Sequence, residues 1–254
     1  MRQFMTHSNH TPVALSTHTS EVTTRYARPL QAGDYVVVRS RRKTMSLHVR
    51  HERVEVRVPV YVGDAEVARF VATHQAWIER KLEEKASQHA QRLQLVEGGV
   101  IFYKGKSLRV RLTRAMNERI EIAGNEFCLY CRQLDGSGPS RALARCLTEE
   151  AKSRLPARAR ALADYLGVGE KLKEVVFRKT KTKWGHCTTS GRIQFNWLIM
   201  LAPDAIIDYM ICHEVSHLRV MNHSPKFWAL VESVCPDYRR YVRWLRQHEH
   251  RLWL

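Results

Sequence analysis

The chain has no apolar run of about 18 residues or more, so no segment is expected to cross a membrane as a helix. Residues Met1 to Thr24 lack the apolar stretch of a secretory leader; they are polar and aperiodic and read as a flexible tail, 1–24. Cysteine is sparse. Six in 254 residues (Cys128, Cys131, Cys146, Cys187, Cys212, Cys235) do not make a disulfide framework, which points to reduced thiols and a cytoplasmic protein. Acidic residues are also short: 25 Asp and Glu stand against 42 Lys and Arg, a net charge of +17. That exceeds the roughly 2–8 units of an ordinary small domain, so polyanions are candidate partners. An apolar content of 44% excludes disorder over most of the length.

Beyond the tail, Tyr35–Val38, Met45–Val49 and Val54–Val58 predict three short strands, the last two with period-two alternation. Arg39, Arg41, Arg42, Lys43, Arg50, Arg53 and Arg57 are assigned to their outward positions. One long helix is expected from Gly63-Asp64, with Asp64 as N-cap, to about His89. Further strands flank Gly105 and the hairpin pair Gly124-Asn125. Asp135-Gly-Ser-Gly-Pro139 reads as a linker. It divides a β-rich N-terminal subdomain (25–135) from a C-terminal domain (140–254). That second part opens with a helical pattern that Pro156 should kink or split. Strands at Val175–Phe177 and Arg192–Leu198 follow, then a helix from Asp204 to about Met221.

The last of these helices carries His213-Glu214-Val215-Ser216-His217. Residues four apart share one helix face, so both imidazoles can grip one ion. Glu214 lies beside them, near enough to take a proton from a water that Zn²⁺ acidifies. Thirteen histidines make a chance match non-negligible, and context carries the weight. The helix is otherwise apolar (Ile206, Ile207, Met210, Ile211), where unpaired polar groups are costly. For a third ligand, His223 sits in a turn between this helix and one starting at Ser224-Pro225; Glu232 is the rival.

The runs Arg178-Lys-Thr-Lys-Thr-Lys-Trp-Gly-His-Cys187, Ile193-Gln-Phe-Asn-Trp197, His213-Glu-Val-Ser-His217 and His223-Ser-Pro-Lys-Phe-Trp228 together resemble the YgjP-like metal-dependent hydrolases, relatives of the SprT-like zincins. The resemblance extends over roughly 35–246. It implies an α+β, zincin-like metallopeptidase domain, a mixed sheet with the HExxH helix, preceded by a β-rich N-terminal part. It also implies one zinc ion on His213, His217 and His223, with Glu214 as general base. One position departs from the pattern: His186 stands where the family usually has serine.

Around this centre, Tyr209 shares the ligand face, and Asp208 is a candidate to orient an imidazole. Trp184, His186 and the basic residues Arg178, Lys181 and Lys183 are candidates to shape a substrate cleft. Cys128 and Cys131 have metal-ligand spacing, but on a strand they point to opposite faces. The expected activity is peptide hydrolysis at a metal-activated water. Alternatives are nucleoside triphosphate pyrophosphatase chemistry on the same metal, or a nucleic-acid-binding protein with structural zinc. A peptide or protein is the expected partner, with a nucleic acid or nucleotide on the basic surface as the other.

Overall fold

The computed structural model describes residues 30–31, 33–50, 53–91, 93–180 and 182–254; the proposed tail and Lys181 lie outside them. The chain forms two compact units, one ending at Gln91 and the other beginning at Arg92.

In the first unit, β1 (Tyr35–Ser40), β2 (Ser46–Arg50) and β3 (Arg53–Pro59) pair in the order β1-β3-β2. β3 runs parallel to β1 and antiparallel to β2. Its alternation places Val54, Val56 and Val58 inward, against Val67 and Val71 of α1 (Asp64–Thr73) and Ile78 and Leu82 of α2 (Gln75–Ala90). The one long helix expected here is two. His74 interrupts it: its imidazole N–H donates to the Phe70 carbonyl at 2.8 Å, and its backbone N–H bonds Val71 O at 3.0 Å. Gly63, not Asp64, is the N-cap. The basic residues do not all decorate the sheet. Arg39 reaches the Val62 carbonyl and Asp64, while Arg41, Arg42 and Lys43 fall in the connection after β1.

The second unit joins two sheets through helices. β4 (Val100–Tyr103), β5 (Lys106–Arg114), β6 (Arg119–Ala123) and β7 (Glu126–Cys131) pair as β4-β5-β7-β6. β8 (Glu174–Arg178), β9 (Gly185–Cys187) and β10 (Arg192–Asn196) pair as β8-β10-β9, leaving β9 at an edge. Between them runs α3 (Gly138–Tyr165), whose Leu143, Leu147, Ala151, Leu155, Ala159 and Ala163 form a fully buried stripe at four-residue spacing. Pro156 neither ends nor divides it; packing along that stripe outweighs the roughly 3 kcal/mol an interior proline costs.

The expected boundary at 135–139 is therefore misplaced. Ile101, Val110, Phe127 and Leu129 of the four-stranded sheet share one core with Leu143 and Leu147. Gly138 and Pro139 are themselves buried, in the first turn of α3. The Gly-Ser-Gly-Pro stretch starts a helix rather than linking domains.

α4 (Asp204–His217), α5 (Pro225–Val234) and α6 (Tyr238–His248) complete the unit. α4 packs on α3 and on β9. Its N-terminus is pinned by Asp204, which receives Lys104 Nζ at 3.0 Å and Arg154 at 3.2 Å. Among the described residues, no helix is long and apolar enough to cross a membrane.

Candidate metal centre

α4 ends at His217, short of the expected Met221, because the chain tightens there. Leu218 N bonds Val215 O, and Arg219 N bonds Ser216 O, each at 3.0 Å. This early stop leaves Val220 O to meet His217 Nδ1 at 3.1 Å. With Nδ1–H donated to a carbonyl, the neutral ring presents Nε2 as its lone-pair atom. The same shortening lets the following turn carry His223 back over the helix. His223 Nε2 and His213 Nε2 approach to 3.1 Å, and one nitrogen from each of His213, His217 and His223 lies within 4.8 Å of the others. Among the described residues this is the group of His, Cys, Asp and Glu able to hold a metal ion.

Phe227 supports all three rings. It is fully buried and stacks on His217 with centroids 4.3 Å apart, and meets His213 and His223 edge-on at 5.0 and 4.9 Å. Beside it Trp228 stacks between His223 (5.7 Å) and Tyr238 (5.3 Å). Burial and its two histidine neighbours push the His213 pKa down to about 3, and burial first, then His223, also lowers that of His217. Both therefore stay neutral, the form that binds a metal.

Glu214 is 3% exposed and its Oε2 is buried with no hydrogen-bond partner. Burial raises its pKa to about 8, opposed by the nearby Lys183 ammonium. A carboxylate so placed is costly unless something cationic or hydrogen-bonding meets it. A divalent ion on the three imidazoles, with water, would meet that need; the donor set of neutral histidines beside an orphaned carboxylate oxygen fits such an ion. The space for the carboxylate exists because residue 185 is glycine: a Cβ there would stand 2.3 Å from Glu214 Oε1.

The other sequence candidates separate. Tyr209 does reach the ligand face, its hydroxyl 3.5 Å from His213 Nδ1. His186, on the edge strand, is exposed and near enough for its charge to be felt at His217. Lys183 is exposed just before that strand, and Arg178 is exposed at the end of β8. Trp184 is committed to the core, stacked on Trp253 at 4.2 Å, with its indole N–H donating to Glu249 at 3.2 Å. Asp208 orients no imidazole; it pairs with Arg158. Glu232 is held by Arg239 and does not join the imidazoles.

Phe227, Gly185 and Asn196 were missed by sequence reasoning. Asn196 is 1% exposed; its Nδ2 donates to Thr180 O at 3.1 Å and its Oδ1 accepts from Leu198 N at 3.1 Å. A single amide among the otherwise apolar residues Phe195–Leu201 was the available signal.

A sequence-family model described as YgjP-like, metallopeptidase domain, matches residues 43–248. No curated protein and no solved structure matches the chain.

Proposed function

Since the chain belongs to the YgjP-like metallopeptidase-domain family of metal-dependent hydrolases, we propose that it is a zinc peptidase with Glu214 as its general base. The observation that carries this reading is the buried, unpartnered Oε2 of Glu214 on the turn of helix between two neutral imidazoles. His213, His217 and His223 would hold the ion. When bound, zinc supplies Lewis acidity, polarising a carbonyl and making water a nucleophile at neutral pH.

The chain's own groups supply the rest. Glu214 takes a proton from the attacking water on a carboxylate oxygen and returns it to the departing amine nitrogen. Its burial keeps bulk water from competing for that proton between the two events. Tyr209 accepts from His213 Nδ1–H and so keeps His213 Nε2 turned toward the ion. The apolar side chains packed around α4 and α5, Phe227 among them, shield the His217 ring and part of the His213 ring from water.

The test compares zinc-loaded wild type and Glu214→Gln, on a peptide library and a panel of nucleoside triphosphates. Peptide cleavage by wild type, with the variant retaining metal but losing about a hundredfold or more in turnover, is expected. Turnover of triphosphates alone, or equal activity in both proteins, would refute the assignment.

A further inference from the structure

Lys183 is exposed just before β9, and its charge reaches the Glu214 carboxylate. Thr180 Oγ1 donates to the Lys183 carbonyl, and Asn196 holds Thr180 through bonds of 3.1 and 3.3 Å to its carbonyl and hydroxyl oxygens. The next carbonyl, that of Trp184, accepts from Asn196 N at 2.8 Å. The residue after that, Gly185, lies against the Glu214 carboxylate. Lys183 is thus two residues, roughly 7 Å of extended chain, from the backbone atom packed on the base, on a segment tied at each of these positions.

The ammonium itself is uncommitted. Among the described residues the Lys183 side chain makes no hydrogen bond or ion pair, although its charge is felt at buried Glu214; of the more distant carboxylates, Asp208 and Glu232 are paired with Arg158 and Arg239, and Glu249 accepts from the Trp184 indole. A further cation felt near the ligand face is Arg246, whose charge acts on Tyr209. Among the described residues neither Lys183 nor Arg246 has a carboxylate within ion-pair distance, so an acidic group on a substrate finds both cations free. The two tryptophans beside this centre offer no free face for a nucleic-acid base: Trp228 is stacked by His223 and Tyr238, and Trp184 is buried against Trp253. A polypeptide bearing carboxylates suits this rim better than a nucleic acid.

We propose that Lys183 is a specificity-determining residue that selects peptides with an acidic side chain beside the scissile bond. The inference rests on the peptidase reading, and the experiment separates the two. Labelled peptides of one sequence, with Asp, Ala or Lys flanking the central bond, are bound to zinc-loaded Glu214→Gln protein and, in parallel, cut by the protein with Glu214 intact. Each is measured with Lys183 retained and with the Lys183→Arg and Lys183→Glu substitutions. The Asp-to-Lys ratio, taken within each protein, cancels losses of folded fraction.

The parent protein and its Lys183→Arg variant are expected to favour the Asp peptide about two- to fivefold, the scale of one exposed charge pair. Lys183→Glu should bring that ratio to one or below, in binding as well as in kcat/KM. A ratio unmoved by Lys183→Glu overturns the proposal while leaving the peptidase reading intact. Charge-selective binding with no cleavage by any protein upholds Lys183 as the selector and overturns the peptidase reading. A single-stranded oligonucleotide of matched charge serves as competitor; if it binds through Lys183 more tightly than the Asp peptide, the peptide selection is overturned.

Discussion

Gly185 and Glu214 fit together with no room for a side chain between them: a β-carbon at 185 would lie 2.3 Å from Oε1 and 2.6 Å from Cδ of the carboxylate. Glu214 is buried on a packed helix and cannot swing aside cheaply. Gly185→Ala is therefore expected to displace the proposed base while sparing the proposed ligands. Metal content should stay near that of wild type, and turnover should fall about a hundredfold, the cost of misplacing a reacting group by about 1 Å. Elemental analysis beside kcat measures the two separately.

The three proposed ligands should differ in what their loss does to the metal-free protein. His217 is buried, donates to Val220 O and stacks on Phe227. His217→Ala should destabilise even the metal-free chain by about 1–3 kcal/mol, leaving a carbonyl unpaired and a void beside the ring. His223 is exposed; His223→Ala should abolish tight metal binding with little change in metal-free stability. Urea unfolding in the presence of a chelator, with metal titration afterwards, tests both.

Opposite pH dependences meet in this site once metal is removed. The raised Glu214 pKa means the folded state holds a proton that the unfolded state releases above about pH 4.5, so its contribution to stability is lost as pH rises from there to about 8. The lowered His213 pKa works the other way. Its contribution is present above about pH 6.5 and is lost as pH falls toward about 3. Relative to wild type, Glu214→Gln should gain stability as pH rises from about 5 to 8, and a His213 variant should gain it as pH falls below about 6.5. Thermal unfolding across pH with chelator present reads both slopes, and absence of the Glu214→Gln difference would contradict its raised pKa.

Asn196 holds the segment before β9 from inside the core. Asn196→Leu removes the bonds its side chain donates to Thr180 and the one it accepts from Leu198, while nearly keeping the volume. A loss of about 1–3 kcal/mol is expected from the stranded carbonyl and N–H, with faster hydrogen exchange in residues 182–184. Unchanged exchange there would mean that the segment is held by Trp184 packing alone.

Much of this centre was legible in one dimension because its parts are close in the chain. A helix repeats every 3.6 residues, so His213 and His217 had to share a face with Glu214 beside them, whatever packed around them. Ser224-Pro225 offers an N-cap and an N1 proline within two adjacent residues, which put His223 in the turn between two helices. Strand alternation at Val54–Val58 and the Gly124-Asn125 hairpin followed from equally local rules.

What depended on distant contacts was not legible. Whether 135–139 joined domains or began a helix turned on Phe127 and Leu129 sharing a core with Leu143 and Leu147, and hydrophobic burial carries no mark in the chain of which surfaces it will join. Asp208 and Glu232 were plausible partners of the imidazoles until Arg158 and Arg239 claimed them. The same holds for residue 185. Its sequence says only that it is glycine; that the missing side chain makes room for the carboxylate of Glu214, far along the chain, was decided by the packing of β9 against α4.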